Sequence, residues 1–413
     1  MQYYFIGILG SGMRALATLY HKMGYVVLGC DESFSFDLIN ELEESIKVED
    51  ISNHKIDSKF KYIVGDTFLA HPTVKMIKSL GFDINSYKDE LESLRFNLKV
   101  AVCGSHGKTT TTKLLSTLLN SSSVVGDGSA EYKDRNILVF EACEYKNTFL
   151  SYYPNIGVFL NCDYDHVDFF KNVDEYKNAF ITFAKQCSKV IYNKDDNYLN
   201  DILHNDKYSF SLKDITSDLY CEYSDYLGGY NLKLKYKDEA NEIYLPMKGI
   251  HMIYNFLASY LTCRVIGLNH QEAIVHLNDF QMPKRRLEHK TLNDNILVLD
   301  YAHHPTEIEM VYKALREMYK DKNLIAIYEG HTLSRSLYFK EEIRKALSLF
   351  DDAYLYPIFY SREKKDKKEK EYYRYLHLKL INNKKISKIL NDKNNVITFL
   401  GAGEIYKLYR KID

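Results

Sequence analysis

The sequence predicts an α/β protein of three domains, each built around a largely parallel sheet. Three observations carry that reading. The length, 413 residues, corresponds to roughly three domains at about 150 residues each. Two strand–glycine turn–helix units occur, one at the N-terminus and one near residue 100, and this βαβ pattern requires parallel strands. Further short apolar runs, "NILVFEAC", "IGVFLNC", "KVIYN", "NILVLDYAHHP", "NLIAIYEGH" and "VITFLGAG", have the length and composition of buried strands.

The first unit, "YYFIGILGSGMRALATLYHKMGYVVLGCDES", reads as strand, glycine turn, amphipathic helix and a second strand ending at Asp31. Gly10-x-Gly12-x-x-Ala15 fits a dinucleotide fingerprint, with Asp31 21 residues after Gly10. Such a match licenses a diphosphate at a helix N-terminus (NAD, FAD or a UDP-sugar); a plain tight turn is the alternative. "KYIVGDTF" and "MIKSLGFDINSY" add strand and helix material, so the first domain spans 1–98. The second unit runs from "LKVAVC" through "GSHGKTTTT" into a helix and opens a central domain, 99–283. Within it, residues 207–247 alternate polar and apolar, which predicts antiparallel strands on the flank. "IYNFLASYLTCRVIG" reads as a helix and "MPKRRLEH" as a junction to a third domain, 284–413. The charge run "SREKKDKKEKEYYR" reads as a solvated loop or helix face.

Composition narrows the class. A formal net charge of −1 provides no field for nucleic acid or an anionic membrane. The N-terminus lacks a basic start followed by an apolar run, and no uncharged stretch reaches the ~18 apolar residues that a membrane span needs. The seven cysteines, at 30, 103, 143, 162, 187, 221 and 263, form no Cys-x-x-Cys pair. A cytoplasmic protein with reduced thiols is expected. Abundant Tyr (36) and absent Trp read as composition bias.

The chemistry concentrates at strand ends. Gly104, Ser105, His106, Gly107, Lys108, Thr109 and Thr110 follow a strand and open a helix, so backbone N–H groups and the helix N-terminus present a phosphate cradle. The spacing is unusual: two residues separate the glycines where a standard phosphate loop has four. Lys108 would reach the terminal phosphates of ATP and the Thr109 hydroxyl would bind Mg²⁺; a Gly-containing turn with a Thr-rich cap is the alternative. Glu141 and Glu144 follow one strand, and Asn161, Asp165 and His166 the next. If those strands neighbour the loop strand, their carboxyl ends meet in one crevice, where a carboxylate can hold Mg²⁺. Lys284, Arg285 and Arg286 offer an arginine for transferring phosphate. Asp300, Tyr301, His303 and His304 lie at one strand end, and His331 and Arg335 at another. The two adjacent histidines lack a third ligand spaced nearby, which argues against zinc.

At this point "GSHGKTTTT", "EACEY…FL", "NCDYDHVDFF", "PKRRLE", "DYAHHPTEI", "HTLSR" and "FLGAGEI", in that order, resemble the Mur ligases. The resemblance spans Gly7 to about Ile405, is weakest over 197–247, and is nearest the branch acting on L-alanine in Gram-positive bacteria. It implies a Rossmann-like N-terminal domain for a UDP group, a central ATPase of compressed phosphate-loop spacing, and a Rossmann-like C-terminal domain that closes over the site. It implies that ATP phosphorylates the lactyl carboxylate of UDP-N-acetylmuramate and that the amine of L-alanine displaces the phosphate. Carried over, Lys108 and Thr109 serve phosphates and Mg²⁺, Glu141 and His166 are metal-site residues, and Asn255 contacts adenine. Arg286 binds phosphate and Asp300 ribose. Tyr301, His303, His331 and Arg335 line the amino-acid site, while Gly10, Ser11, Gly12 and Asp31 hold the UDP moiety. A monomer or weak homodimer is expected.

Four departures stand out. Met252 replaces an asparagine at the adenine contact, Met282 replaces a glycine before the basic run, and "IYEGH" replaces a proline-containing "QPH". Phe180, four residues after Tyr176, stands where the glutamate- and diaminopimelate-adding branches carry a CO₂-modified lysine, and the alanine branch also lacks that lysine. The competing readings are a recycling ligase that attaches a tripeptide, a nicotinamide-dependent dehydrogenase built on "GSGMRA", and a non-catalytic nucleotide-binding scaffold.

Overall fold

The computed structural model describes residues 2–32, 35–202, 204–361 and 363–412, and three sheets organise them. In the first sheet, strand Gln2–Ile6 is flanked by Val26–Asp31 and Phe60–Val64, with Lys47–Asp50 and Ile84–Ser86 at the edges. All pairings are parallel. Helix Ser11–Lys22 connects the first two strands, and its residues 13–20 are buried on every side. An all-round buried helix needs two partners. One is its own sheet; the other is the strand pair Ser122–Val124 and Ala130–Glu131 of the central sheet.

The central sheet has ten strands. Ser122–Val124, Ile137–Glu141, Leu98–Cys103, Ile156–Phe159, Lys189–Asn193 and Lys207–Ser211 lie side by side and parallel. Leu219–Tyr226 continues in parallel, then Gly229–Tyr236 and Glu239–Leu245 fold back antiparallel. The antiparallel expectation for 207–247 therefore fails at its first strand. Lys207–Ser211 hydrogen-bonds beside Lys189–Asn193 as one more parallel member, and its last three residues are buried. Helix Ile250–Val265 packs on this sheet and on helix Lys108–Leu118. Its Phe256, Leu257 and Leu261 are wholly buried, each worth roughly 1.5–3 kcal/mol of hydrophobic stabilisation.

The third sheet has the order Glu288–Leu292, Asn295–Asp300, Asn395–Leu400, Asn323–His331, Asp352–Phe359 and Lys379–Leu380. It is parallel except for the initial hairpin. Helix Pro305–Met318 starts at a capping box between His304 and Glu307. The charge run becomes a turn and helix Lys368–Leu376, with Tyr372 and Leu376 buried on its inner face; its Arg362 lies outside the described residues. Among the described residues, no helix is long and apolar enough to cross a membrane, and the seven cysteines are free.

Candidate active site

The strand Leu98–Cys103 and the helix starting at Lys108 leave four residues for the turn between them. Gly104 has φ 141° and Gly107 has φ 83°, conformations that L side chains rarely adopt. Space is equally restrictive: a Cβ at Gly107 would stand 2.7 Å from Asn255 Oδ1, and one at Gly104 would stand 3.0 Å from Leu160 Cβ. The short loop is braced from outside. Asn161 Oδ1 accepts from the His106 N–H at 2.9 Å and its amide donates to the His106 carbonyl at 3.1 Å. Ser105 Oγ donates to the Asp163 carbonyl at 2.6 Å.

Around the loop, charge is tightly paired. Lys108 Nζ lies 2.9 Å from Glu144, a carboxylate with no solvent exposure. His166 Nε2 approaches the same carboxylate at 3.2 Å. Burial opposes ionisation of Glu144, but Lys108 and then His166 outweigh it and pull its pKa down to about 2. Burial opposes the Lys108 charge in turn, and Glu144 holds that ammonium above its ordinary range. Glu141 serves a different partner: its Oε2 accepts from Thr109 Oγ1 at 2.8 Å and from the Gly126 N–H at 3.0 Å. Burial raises its pKa.

The third sheet supplies the opposite wall. Arg286 lies 3.6 Å from Glu307 and 4.0 Å from Asp300. Asp300 accepts from the Leu287 and Ala302 N–H groups, both at 2.8 Å. Arg335 grips Asp165 of the central unit with two nitrogens, at 2.8 and 3.1 Å, and its Nη1 faces His331 Nδ1 at 3.3 Å. His303 packs 5.3 Å from the His331 ring. Its Nδ1 lies 3.1 Å from the Tyr301 carbonyl, and burial drives its pKa well below the usual histidine range. His106 closes the interface. Its Nε2 meets Asp163 at 2.9 Å and its Nδ1 meets Glu307 at 3.5 Å. Burial disfavours its charge, yet those two carboxylates raise its pKa to about 9.

Two cavities of ≈ 470 and ≈ 480 Å³ meet at the loop, sharing His106, Gly107, Arg286 and Glu307 in their walls. The smaller is walled by Asn255, Met252, Met282, His251, Thr110 and Asp300. The larger draws on all three units, including Ser11 and Arg14, Lys108 and His166, and His303 and Arg335.

The chain is similar in sequence and fold to proteins of known family. Residues 102–263 match the family model described as Mur ligase middle domain, and residues 285–399 match the Mur ligase, glutamate ligase domain. The chain is 32% identical to the UDP-N-acetylmuramate–L-alanine ligase of Streptococcus equi subsp. equi, covering 99% of this chain and 96% of that protein. It is also 32% identical to the ligase of that name from Lacticaseibacillus paracasei, covering 98% and 96%. The chain belongs to the Mur ligase family. Among solved structures, the UDP-N-acetylmuramate–alanine ligase of Thermotoga maritima shares the fold with a TM-score of 0.80 at 21% identity, over 100% of this chain and 98% of that one. The MurF ligase of Thermotoga maritima, solved in complex with ADP, aligns with a TM-score of 0.62 at 18% identity, over 94% and 89%.

In this Mur ligase the sequence-predicted residues fall into three groups. Ser105, His106, Gly107, Lys108, Thr109, Glu141, His166, Arg286, Tyr301, His303, His331 and Arg335 wall the larger cavity. Thr110, Asn255 and Asp300 wall the other. At the N-terminus, Ser11 reaches the larger cavity, whereas Asp31, at the end of its strand, accepts from the Leu9 N–H of the glycine loop at 3.0 Å. Gly10 has an ordinary φ of −62°, and a Cβ at Gly12 would stand 3.1 Å from Tyr87 Cζ.

Glu144, a strand-end carboxylate offered beside Glu141 for Mg²⁺, is the one that faces Lys108 and His166. Asp163, Glu307 and Arg14 were not singled out; the pattern His304-Pro-x-Glu307 is a capping signal that could have flagged Glu307. His304 has no third metal-ligating residue spaced nearby along the chain, but it gains two partners in space. His106, Asp163 and His304 place ligand atoms within 4.8 Å of one another. Among the departures, Met252 and Met282 wall the smaller cavity. Glu329 turns away from the larger one and accepts from the Glu404 and Ile405 N–H groups. Phe180 packs in an aromatic cluster with Phe149 and Phe159.

Proposed function

We propose that this chain uses ATP to join L-alanine to the lactyl carboxylate of UDP-N-acetylmuramate, as a step in peptidoglycan precursor synthesis. The observation that carries the reading is the junction of two cavities at one phosphate loop, with Lys108, Arg286 and Arg335 grouped around it. The full-length relatives named for that ligation support the choice of amino acid. The nucleoside of ATP sits in the smaller cavity against Asn255 and Asp300. Asp300 has accepted two backbone N–H groups, and an ionised carboxylate has about four acceptor positions, so two serve the ribose hydroxyls. The phosphates lie over the loop, and the muramate carboxylate enters from the larger cavity, its UDP group toward Ser11 and the first unit.

The chemistry follows from charge. A carboxylate is a poor acyl donor, and its attack on the γ-phosphorus brings two anions together. Lys108 and Arg286 offset that repulsion in a site screened from water. The carboxylate oxygen bonds to phosphorus as ADP leaves. The alanine nitrogen then attacks the acyl carbon, the amine loses a proton, and phosphate departs from the tetrahedral intermediate. His303 stays neutral through burial; with its Nδ1–H directed to the Tyr301 carbonyl, Nε2 is left as a hydrogen-bond acceptor in the cavity wall.

The donor set also fits Mg²⁺, which prefers oxygen ligands and phosphate company. Thr109, Glu141 and Glu144 supply hydroxyl and carboxylate oxygens, and His166 lies against Glu144. Bound there, Mg²⁺ would neutralise phosphate charge. Glu144, paired with Lys108, groups with Cys143 and His166, their ligand atoms within 4.8 Å of one another. We take the domains as 1–98, 99–283 and 284–413. We take the protein as a cytoplasmic enzyme, a monomer or weak homodimer.

Phosphate release from ATP, measured with UDP-N-acetylmuramate and L-alanine, glycine, L-serine or the tripeptide, tests the proposal. Turnover is expected with L-alanine. Release with tripeptide and none with alanine would instead identify a recycling ligase.

A further inference from the structure

His106 is the one phosphate-loop residue for which nucleotide binding gives no reason for a histidine. Its backbone is held by Asn161 of the central unit, through both the N–H and the carbonyl. Its side chain is held elsewhere. Nε2 faces Asp163 of the central unit at 2.9 Å, and Nδ1 faces Glu307 of the third unit at 3.5 Å. The ring thus stands between carboxylates of two different units, and those carboxylates, against burial, raise its pKa to about 9, which favours the doubly protonated form.

Those carboxylates are themselves committed to the unit boundary. Glu307 Oε2 caps helix Pro305–Met318 by accepting from the His303 and His304 N–H groups at 3.1 and 3.4 Å. Its Oε1 faces both His106 and Arg286. Asp163 accepts from Thr306 Oγ1 in the first turn of the same helix at 2.5 Å, and the His304 ring lies 4.8 Å from that of His106. His106 and Glu307 are both buried. The start of one helix in the third unit is thus keyed to the middle residue of the phosphate loop.

We propose that His106 is a positioning residue that ties the phosphate loop to the third unit, so that the loop takes its reactive geometry only when helix Pro305–Met318 is seated. The inference rests on the ligase reading above and adds a coupling to it. Loop N–H groups set the place of the terminal phosphates, while Glu307 also orients Arg286. Seating the helix therefore fixes the loop and the arginine through one carboxylate.

The test is a double-mutant cycle on the full chain with His106→Gln, Glu307→Gln and both together. Phosphate release, ADP affinity by calorimetry and thermal midpoint are read for each. A positioning role predicts that each single variant lowers kcat about 10- to 100-fold, the range expected of small misplacements, with ADP affinity within about threefold. The double variant should be no worse than the weaker single one, because coupled residues do not add. Independent, multiplying effects would overturn the coupling. A loss of ADP affinity equal to the fall in kcat/KM would make His106 a direct phosphate ligand instead. If Glu307→Gln lowers the thermal midpoint by freeing the helix start, Asp163→Asn replaces it, on the other ring nitrogen, with the same expectation.

Hydrogen exchange of the loop amides 104–109 needs no turnover and tests the same claim. Faster exchange is expected in both single variants, with ADP bound; unchanged exchange in both would overturn it. A wild-type chain that releases no phosphate with any acceptor would reject the ligase reading, and the exchange measurement would still judge the coupling.

Discussion

Two loops in this molecule share one grammar, strand, glycines, helix, and solve the same problem with different chemistry. In each, one residue has both backbone groups held by side chains. Leu9 is held by a charged pair: its N–H donates to Asp31, and its carbonyl accepts from Arg14. His106 is held by the single neutral amide of Asn161. The difference matters for function. At the first loop the ionised side chains bind the loop itself. At the second, the brace on the middle of the loop is neutral, and the ionised Lys108 donates to the Gly104 and Ser105 carbonyls from the helix start while paired with Glu144. What a glycine turn can do is set by what the neighbouring strands bring to it.

The largest expected effect tests that contrast at Lys108. Lys108→Ala should abolish ligation, a fall of at least about 10³-fold in kcat. It should also destabilise the fold by roughly 3–5 kcal/mol, because it strands the buried Glu144 charge. Lys108→Ala with Glu144→Gln should recover stability and not activity; chemical denaturation beside the phosphate assay separates the two. Recovery of ligation would break the contrast.

The acid dependence follows from the same pair. The folded pKa of Glu144, about 2, lies below its unfolded value of about 4.3. Its ionisation therefore adds stability above pH ~4.3, and that stability is lost as pH falls toward 2. The advantage of wild type over Glu144→Gln should be up to roughly 3 kcal/mol at pH 7. It should shrink steadily below pH 4.3 in denaturant titrations. A difference independent of pH would mean that packing, not charge, holds Glu144.

The glycines give a smaller contrast. Gly107→Ala combines a left-handed φ with a 2.7 Å contact to Asn255 and should cost about 2–4 kcal/mol. Gly10→Ala meets an ordinary φ and no contact under 3.5 Å, so stability should change by less than about 0.5 kcal/mol. If it nonetheless raises KM for UDP-N-acetylmuramate, with ADP affinity intact, Gly10 is present for close approach of a ligand.

Much of this was legible. The three α/β units announced themselves because parallel core strands are apolar along their length, and the cations of the site stand at strand ends. The strands that escaped notice, such as Lys47–Asp50, Ser122–Val124 and Asp352–Phe359, are polar, short or contain a proline. Lys47–Asp50 is an edge strand, and the other two lie one place in from an edge, each bordered there by a strand of only two residues. In the site, sequence could nominate Glu141 and Glu144 but not distribute them, since both lie within four residues of one strand end. Only the turn after Glu141 decides that one faces Thr109 and the other Lys108. Contacts such as His106–Glu307 join residues about two hundred positions apart and leave no local trace.

The grip of Arg335 on Asp165 has a consequence for how an amino acid enters. On the proposed reading, the carboxylate of alanine meets a guanidinium already serving a tethered rival, held at an effective concentration on the order of millimolar or more. The apparent affinity for the acceptor then measures a displacement. Only an amino acid whose remaining contacts outbid Asp165 can take the seat, and an empty site stays occupied by its own side chain.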